Sequence, residues 1–253
     1  MHYIKWKHNK YVSAATVLRS IDLPSYGDTA LHTSNINDVL NNRMIVSDDW
    51  KIPLDHFVFA QQTHSDHFYK VTKLDCGKGT RIYEEGINDC DALYTKESNI
   101  ALGVFHADCV PILLYDPITH LIAAIHSGWQ GTVKEITKKL VTHLIQEERV
   151  NPKNLEAYIG PAIAYQSFEV GMDVVKQVQA MSFDTSPYIT YKANDKALVD
   201  NKMLNVQMLK NLGVPNENIT IDKNDTFMPN ASFFSYRRDK HCGRHMSFII
   251  MRT

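Results

Sequence analysis

The sequence predicts a mixed-sheet α/β or α+β fold, and three observations carry that prediction. Apolar runs of strand length stand close together at 100–105, 111–115 and 121–125, with polar turn residues between them. A helical pattern follows at once, with Val133, Ile136, Leu140 and Leu144 at three- and four-residue spacing. Strands and helices then alternate through the middle but not cleanly at the two ends, which argues against a strict βαβ series. The Gly-rich turn of a dinucleotide-binding fold is also missing.

Each element has its own local reason. Ser34 stands as a cap before Ile36, Val39, Leu40 and Met44, which predicts a helix over 34–46. Residues 57–59 read as a short strand that leads into Gln61-Gln62-Thr63-His64. After the three central strands, His126-Ser-Gly-Trp-Gln-Gly131 forms a glycine-bearing loop. Thr132 with Glu135 then has the spacing of a capping box, and Asn151-Pro152 ends the helix that follows. Residues 155–159 form a strand closed by Gly160-Pro161, and 165–201 is a polar stretch that reads as an excursion. A helix over 200–212 stops at Gly213 and Pro215, and 219–221 and 246–251 supply further strands.

Composition narrows the function classes. The 253 residues fit one large domain or two small ones, and the absence of a repeat or a Ser/Gly/Pro-rich linker favours one. Hydrophobic residues at 44% and charged ones at 22% are ordinary for a globular chain, so disorder and fibre are excluded. A net charge of −1 offers no general field for nucleic acid or anionic lipid. The longest apolar stretch, 100–115, is interrupted by His106 and Asp108 and cannot span a membrane. The N-terminus alternates charge with aromatics and has no apolar signal-peptide region. Cys76, Cys90, Cys109 and Cys242 therefore read as reduced thiols in a cytoplasmic protein.

Chemistry concentrates at strand ends. His64, Cys109 and His126 each stand at the edge of a predicted strand, and two imidazoles with one thiolate suit Zn²⁺ while leaving a fourth position for water or substrate. They are too far apart along the chain for a finger or ribbon. Cys109 also reads as a small buried hydrophobe, although Asp108 beside it needs a partner that a plain core would not supply. His64 reads equally as a turn histidine, and the two glycines after His126 could simply make a turn. A second concentration, Phe233-Phe234-Ser235-Tyr236-Arg237-Arg238-Asp239 with Cys242-Gly243-Arg244, suits a phosphate or a stacked base, or else a solvated basic turn.

Taken together, these segments resemble one family. Gln62-Thr63-His64, Asp91-Ala92-Leu93-Tyr94-Thr95, Ala107-Asp108-Cys109-Val110-Pro111-Ile112, Ala124-Ile125-His126-Ser127-Gly128-Trp129, Ile159-Gly160-Pro161-Ala162-Ile163 and Phe233-Phe234-Ser235-Tyr236-Arg237 occur in its order. It is the YfiH-like family, long named polyphenol oxidases or laccase-domain proteins and later reassigned as zinc-dependent purine nucleoside phosphorylases. The resemblance runs from about Ile36 to the C-terminus. It implies a sandwich of mixed β-sheets flanked by helices, with zinc held by His64, Cys109 and His126. It also implies phosphorolysis of adenosine, inosine, guanosine and methylthioadenosine, with adenosine deamination as a second activity. Purine nucleosides and phosphate would be the partners, with no nucleic acid and no membrane.

The departures from the family are specific. Ser65 stands where Gly is usual, Gln130 where Arg follows the tryptophan, and Cys242 where Thr precedes Gly-Arg. The N-terminal Arg-x-Gly-Gly signature is missing, with Tyr26-Gly27 as its nearest remnant, whereas Asn42-Arg43 fits the family pair. The loss of charge at Gln130 weakens the case for phosphate at that turn. Arg43, Arg237, Arg238 and Arg244 are the candidate phosphate binders, and Asp108 is a proton shuttle or an orienter of a ligand. The competing readings are Cys109 as a nucleophile activated by His126 in an amidase acting on cell-wall precursors, a copper-dependent polyphenol oxidase, and a binding module with structural metal.

Overall fold

The computed structural model describes residues 1–229 and 232–252. In chain order the strands are β1 (Tyr3–His8), β2 (Val12–Val17), β3 (Phe57–Val58), β4 (Phe68–Lys70), β5 (Ala92–Thr95), β6 (Ala101–His106), β7 (Val110–Asp116), β8 (Leu121–Ser127), β9 (Glu156–Ile159), β10 (Glu169–Gly171), β11 (Ile189–Lys192), β12 (Lys196–Val199), β13 (Ile219–Ile221) and β14 (His245–Met251). The helices are α1 (Ile36–Trp50), α2 (Trp129–Val133), α3 (Ile136–Glu147), α4 (Met172–Gln179) and α5 (Asn201–Asn211). A five-stranded sheet has the order β1-β2-β14-β6-β3, a six-stranded sheet the order β13-β9-β7-β8-β5-β4, and a small antiparallel sheet the order β10-β12-β11. Both large sheets are mixed, with parallel pairs at β3–β6, β4–β5 and β9–β13.

Strand alternation explains the stacking. Leu102 and Val104 on β6, Ile249 and Met251 on β14, Leu113 and Tyr115 on β7, and Ile122 and Ala124 on β8 share one core between the two large sheets. The opposite parity on β7 and β8 (Ile112, Leu114, Ala123, Ile125) packs against Ile136, Leu140 and Leu144 of α3 and Val206 and Leu209 of α5. The outer face of the five-stranded sheet meets Val46 and Trp50 of α1. Two sheets back to back, with a helical layer outside each, are the result. Because both faces of β6, β7 and β8 are covered, these strands are buried along their whole length, which is why they read as continuous apolar runs.

The polar stretch 165–201 is indeed an excursion: β10–β12 and α4 enclose a smaller core of Phe168, Val175, Val178 and Val199, which α5 joins through Leu204 and Met208. Two local expectations are corrected. Asn35, not Ser34, caps α1, its side chain accepting from the Asn37 amide at 2.9 Å, and the helix runs on to Trp50. Thr132 and Glu135 form no capping box: the Thr132 hydroxyl lies 2.8 Å from that of Ser127 and accepts from Asn205 at 3.0 Å. Glu135 takes a left-handed φ of 60° and reaches Ser182, breaking the chain into α2 and α3. A buried hydroxyl network outcompeted the local cap. No helix among the described residues is long and apolar enough to cross a membrane.

Glu148, just beyond α3, ties that helix to the edge of the six-stranded sheet. It accepts from Lys70 at 2.6 Å, Lys96 at 3.1 Å and the Tyr94 hydroxyl at 3.1 Å. Burial alone would raise its carboxyl, but these donors hold it at about 2 against an ordinary 4.5. A depressed carboxyl stabilises the fold above its ordinary value and loses that contribution as pH falls through 4.5 towards 2. Glu148→Gln should therefore lower the urea unfolding midpoint near neutral pH, and its deficit against the unsubstituted chain should shrink steadily on acidification.

Candidate metal centre and substrate cavity

The site stands at the end of the intersheet layer. The parity that turns Ile122 and Ala124 between the sheets does the same for His126, the next residue in that phase on β8. Val110 pairs with Ser127 and Pro111 with His126, so Cys109, immediately ahead of β7, is carried alongside His126. His64 arrives from the loop after β3 in a left-handed conformation (φ 59°), its carbonyl accepting from Lys134 at 2.7 Å. One nitrogen of each histidine and the Cys109 sulfur all lie within 4.8 Å of one another.

Asp91, at the entry to β5, organises this trio. Ala92 pairs with Ile125, so Asp91 lies beside His126, whose amide donates to the Asp91 carbonyl at 2.8 Å. The Asp91 carboxylate accepts from His126 Nδ1 at 2.8 Å through one oxygen. The other oxygen takes the Ser65 amide at 2.7 Å, the Ser65 hydroxyl at 2.8 Å and the Thr63 amide at 3.1 Å. Burial pushes this carboxyl up, yet His126 and Ser65 hold it at about 2. Burial likewise works against a charged His126, but the neighbouring Cys109 and Asp91 together push it up to about 9. His64 moves the other way, down to about 4, through burial and the neighbouring His126.

These are the properties of a cation site. Asp91 puts a buried negative charge against His126, with the Cys109 sulfur in the same cluster. With a metal bound, His126 would donate its Nδ1–H to Asp91 and leave Nε2 free to ligate. His64 Nδ1 is buried and has no hydrogen-bond partner among the described residues, as a ligand awaiting a metal would be. Gly128 supplies the room, since a Cβ there would sit 2.5 Å from His64 Nδ1 and 3.0 Å from Cys109 Sγ. The residues fit a metal.

The trio opens into a cavity of about 490 Å³. Its wall carries Gln62, Phe105, His106, Trp129, Gln130, Ile163, Phe168, Asn201 and Tyr236, with His32 and Tyr83 also on it. Of the four candidate arginines, Arg237 and Arg244 line this space. Arg237 donates to the Glu169 carbonyl at 2.9 Å and lies over the Phe168 ring, while Arg244 donates to Gly243 O at 3.1 Å and lies over Tyr236. The other two are placed elsewhere. Arg43, 2% exposed, sits between Phe59 and Phe105 and donates to Thr29, Gly79 and Thr80 carbonyls at 2.7–2.8 Å, as a tie between loops. Arg238 donates to the carbonyls of Thr226, Phe227, Met228 and Phe233. These bonds tie residues 226–228 to Phe233.

Asp108 holds the cavity's rim together. Its φ of 83° is strained for a non-glycine residue. The carboxylate accepts from Thr226 Oγ1 at 2.7 Å, Ser235 Oγ at 3.0 Å and the Arg237 amide at 2.6 Å, and its carbonyl accepts from Ile163. None of those partners is His64, Cys109 or His126, so the hydrogen bonds of Asp108 tie loops together. Asp91 received no role from the sequence, although a lone acid opening the Ala92-Leu93-Tyr94-Thr95 strand was the available signal.

Comparison with known proteins places this site in a lineage. The sequence pattern of the multi-copper polyphenol oxidoreductase laccase family matches residues 25–252. The chain belongs to that family. Within it, the chain is 36% identical over 227 residues to the purine nucleoside phosphorylase YlmD of Bacillus subtilis, covering 89% of this chain and 82% of the relative. It is 35% identical over 198 residues to the purine nucleoside phosphorylase SSP1584 of Staphylococcus saprophyticus, covering 78% and 74%. Among solved structures, the Bacillus licheniformis hypothetical protein YfiH superposes with a TM-score of 0.91 at 32% identity, covering 95% of this chain and 93% of that one. YlmD from Geobacillus stearothermophilus superposes with a TM-score of 0.90 at 27% identity over the whole of both chains.

Two substitutions test the centre. Asp91→Asn should weaken metal binding about 10- to 100-fold, as removal of a ligand's hydrogen-bond partner does. Gly128→Ala should abolish stoichiometric binding while leaving the circular dichroism spectrum intact, because the three atoms nearest its added methyl group all belong to the side chains of His64 and Cys109. Metal titration of the stripped protein reads both.

Proposed function

We propose that the chain is a zinc-dependent purine nucleoside phosphorylase acting on adenosine, inosine, guanosine and methylthioadenosine, with deamination of adenosine as a second activity. The observation that carries this reading is the meeting of His64, Cys109 and His126 on the wall of a cavity that also bears two arginines and several aromatic rings. Three protein ligands facing open space match a catalytic zinc arrangement better than a closed structural one. Zinc bound there would supply Lewis-acid stabilisation of negative charge developing on an adjacent oxygen.

The chain's own residues divide the remaining work. Arg237 and Arg244, each anchored through Nη1 on backbone carbonyls, present positive charge to phosphate. Phe168 and Tyr236, each lying against one of these guanidinium groups, offer faces to the purine. In phosphorolysis a phosphate oxygen forms a bond to C1′ of the ribose while the C1′–N9 bond breaks. The electron pair leaves with the base, which takes up a proton. Gln130 lies on the cavity wall without a charge, so the phosphate subsite rests on Arg237 and Arg244.

A second reading has an observation of its own. Cys109, His126 and Asp91 form a thiol–imidazole–carboxylate chain, the constellation of a cysteine hydrolase. It leaves His64 without a task, which is why the metal reading is preferred. Product analysis separates them. Zinc-loaded protein should release free base from adenosine and inosine only when phosphate is present, and Cys109→Ala should lose both the metal and the turnover. Labelling of Cys109 by an amide-derived electrophile in chelator-treated, fully active protein would establish the hydrolase instead.

A further inference from the structure

His106 is a buried histidine that the site's chemistry leaves unused. It ends β6, and the parity that turns Leu102 and Val104 between the sheets turns it there as well, onto the cavity wall. The residue is 1% exposed. Its Nε2 lies 2.8 Å from the Ser247 hydroxyl, which lies 2.7 Å from the Thr16 hydroxyl, while its Nδ1 has no partner among the described residues. Burial, with His245, His126, Arg244 and Lys202 around it, keeps the ring neutral. An unpaired buried nitrogen is costly and rare, and on a cavity wall a ligand is the natural source of its missing partner.

The hydroxyl pair gives this nitrogen an unusual freedom. A neutral imidazole carries one proton, and a hydroxyl both donates and accepts. When Ser247 donates to Nε2, the proton sits on Nδ1, which then donates. When Nε2 donates to Ser247, Nδ1 is a bare acceptor. Switching requires only rotation of Ser247 and Thr16 hydroxyls and a change of tautomer, with no change of net charge. The neighbouring His245 lacks this freedom, because it donates from Nδ1 to Val17 O at 2.9 Å and accepts the Phe234 amide at Nε2.

We propose that His106 is a specificity residue whose Nδ1 reads position 6 of the purine, donating to a 6-oxo group and accepting from a 6-amino group. This deepens the phosphorylase reading and rests on it. One pocket then handles both base classes because the tautomer, held by Ser247 and Thr16, adapts to the base.

The test compares adenosine, inosine and purine riboside, which has only hydrogen at position 6, in His106→Leu and the unsubstituted enzyme. The kcat/KM of adenosine and inosine should fall roughly ten- to a hundredfold, and that of purine riboside should change by no more than about threefold. His106→Asn, which keeps both a donor and an acceptor, should restore part of the loss for both natural substrates and serves if the leucine variant does not fold. In ¹⁵N NMR of the enzyme with adenine or hypoxanthine and no phosphate, the resonances missing from His106→Asn should report opposite tautomers. An equal loss on all three nucleosides, or one tautomer with both bases, overturns the proposal. Absence of phosphorolysis by the unsubstituted enzyme overturns the phosphorylase reading itself.

Discussion

A single buried carboxylate holds the active region in register. Asp91 is 1% exposed, and an ion so placed must be fully paired. Its partners come from two directions, the loop carrying Thr63 and Ser65 and the end of β8 carrying His126. Satisfying Asp91 therefore places His64 between Thr63 and Ser65, fixes the ring orientation of His126 and leaves Cys109 facing both. Asp108 repeats the device on the opposite side, gathering Thr226, Ser235 and Arg237 around one carboxylate.

These two acids differ in what surrounds them. Asp91 pairs with the imidazole of a candidate ligand and so puts a buried negative charge behind the cluster, which favours a cation there. Asp108 faces hydroxyls and an amide, which satisfy it without any counter-ion. The contrast separates a carboxylate that tunes ligands from one that positions loops. The two histidines of the cluster split as well, His126 drawn up to about 9 by Cys109 and Asp91 against its burial, and His64 down to about 4 by burial and His126.

Much of this was legible in the sequence where local pattern and burial agree. The central strands β6, β7 and β8 announced themselves because both faces are covered, and His64, Cys109 and His126 stood out as ligating types at strand ends. The hairpin of β1 and β2 was not read, since half-buried residues on β1 give no clean alternation. The capping box at Thr132 and Glu135 failed because buried Ser127 and Asn205, distant in sequence from one another, claimed the threonine. Arg43 had the composition of a phosphate binder and the surroundings of a structural tie. Carbonyls brought near it by tertiary packing decide that role, and no spacing rule encodes them.

The order β1-β2-β14-β6-β3 has a consequence for biogenesis. The central strand of that sheet is the last described element of the chain. On the ribosome, β2 and β6 are made long before the strand that separates them. Until β14 emerges, both would have open edges, and direct pairing between them would shut it out. The sheet that carries His106 closes only once β14 has been made. Until then those two edges are open to mispairing, the hazard against which chaperones protect a chain during translation.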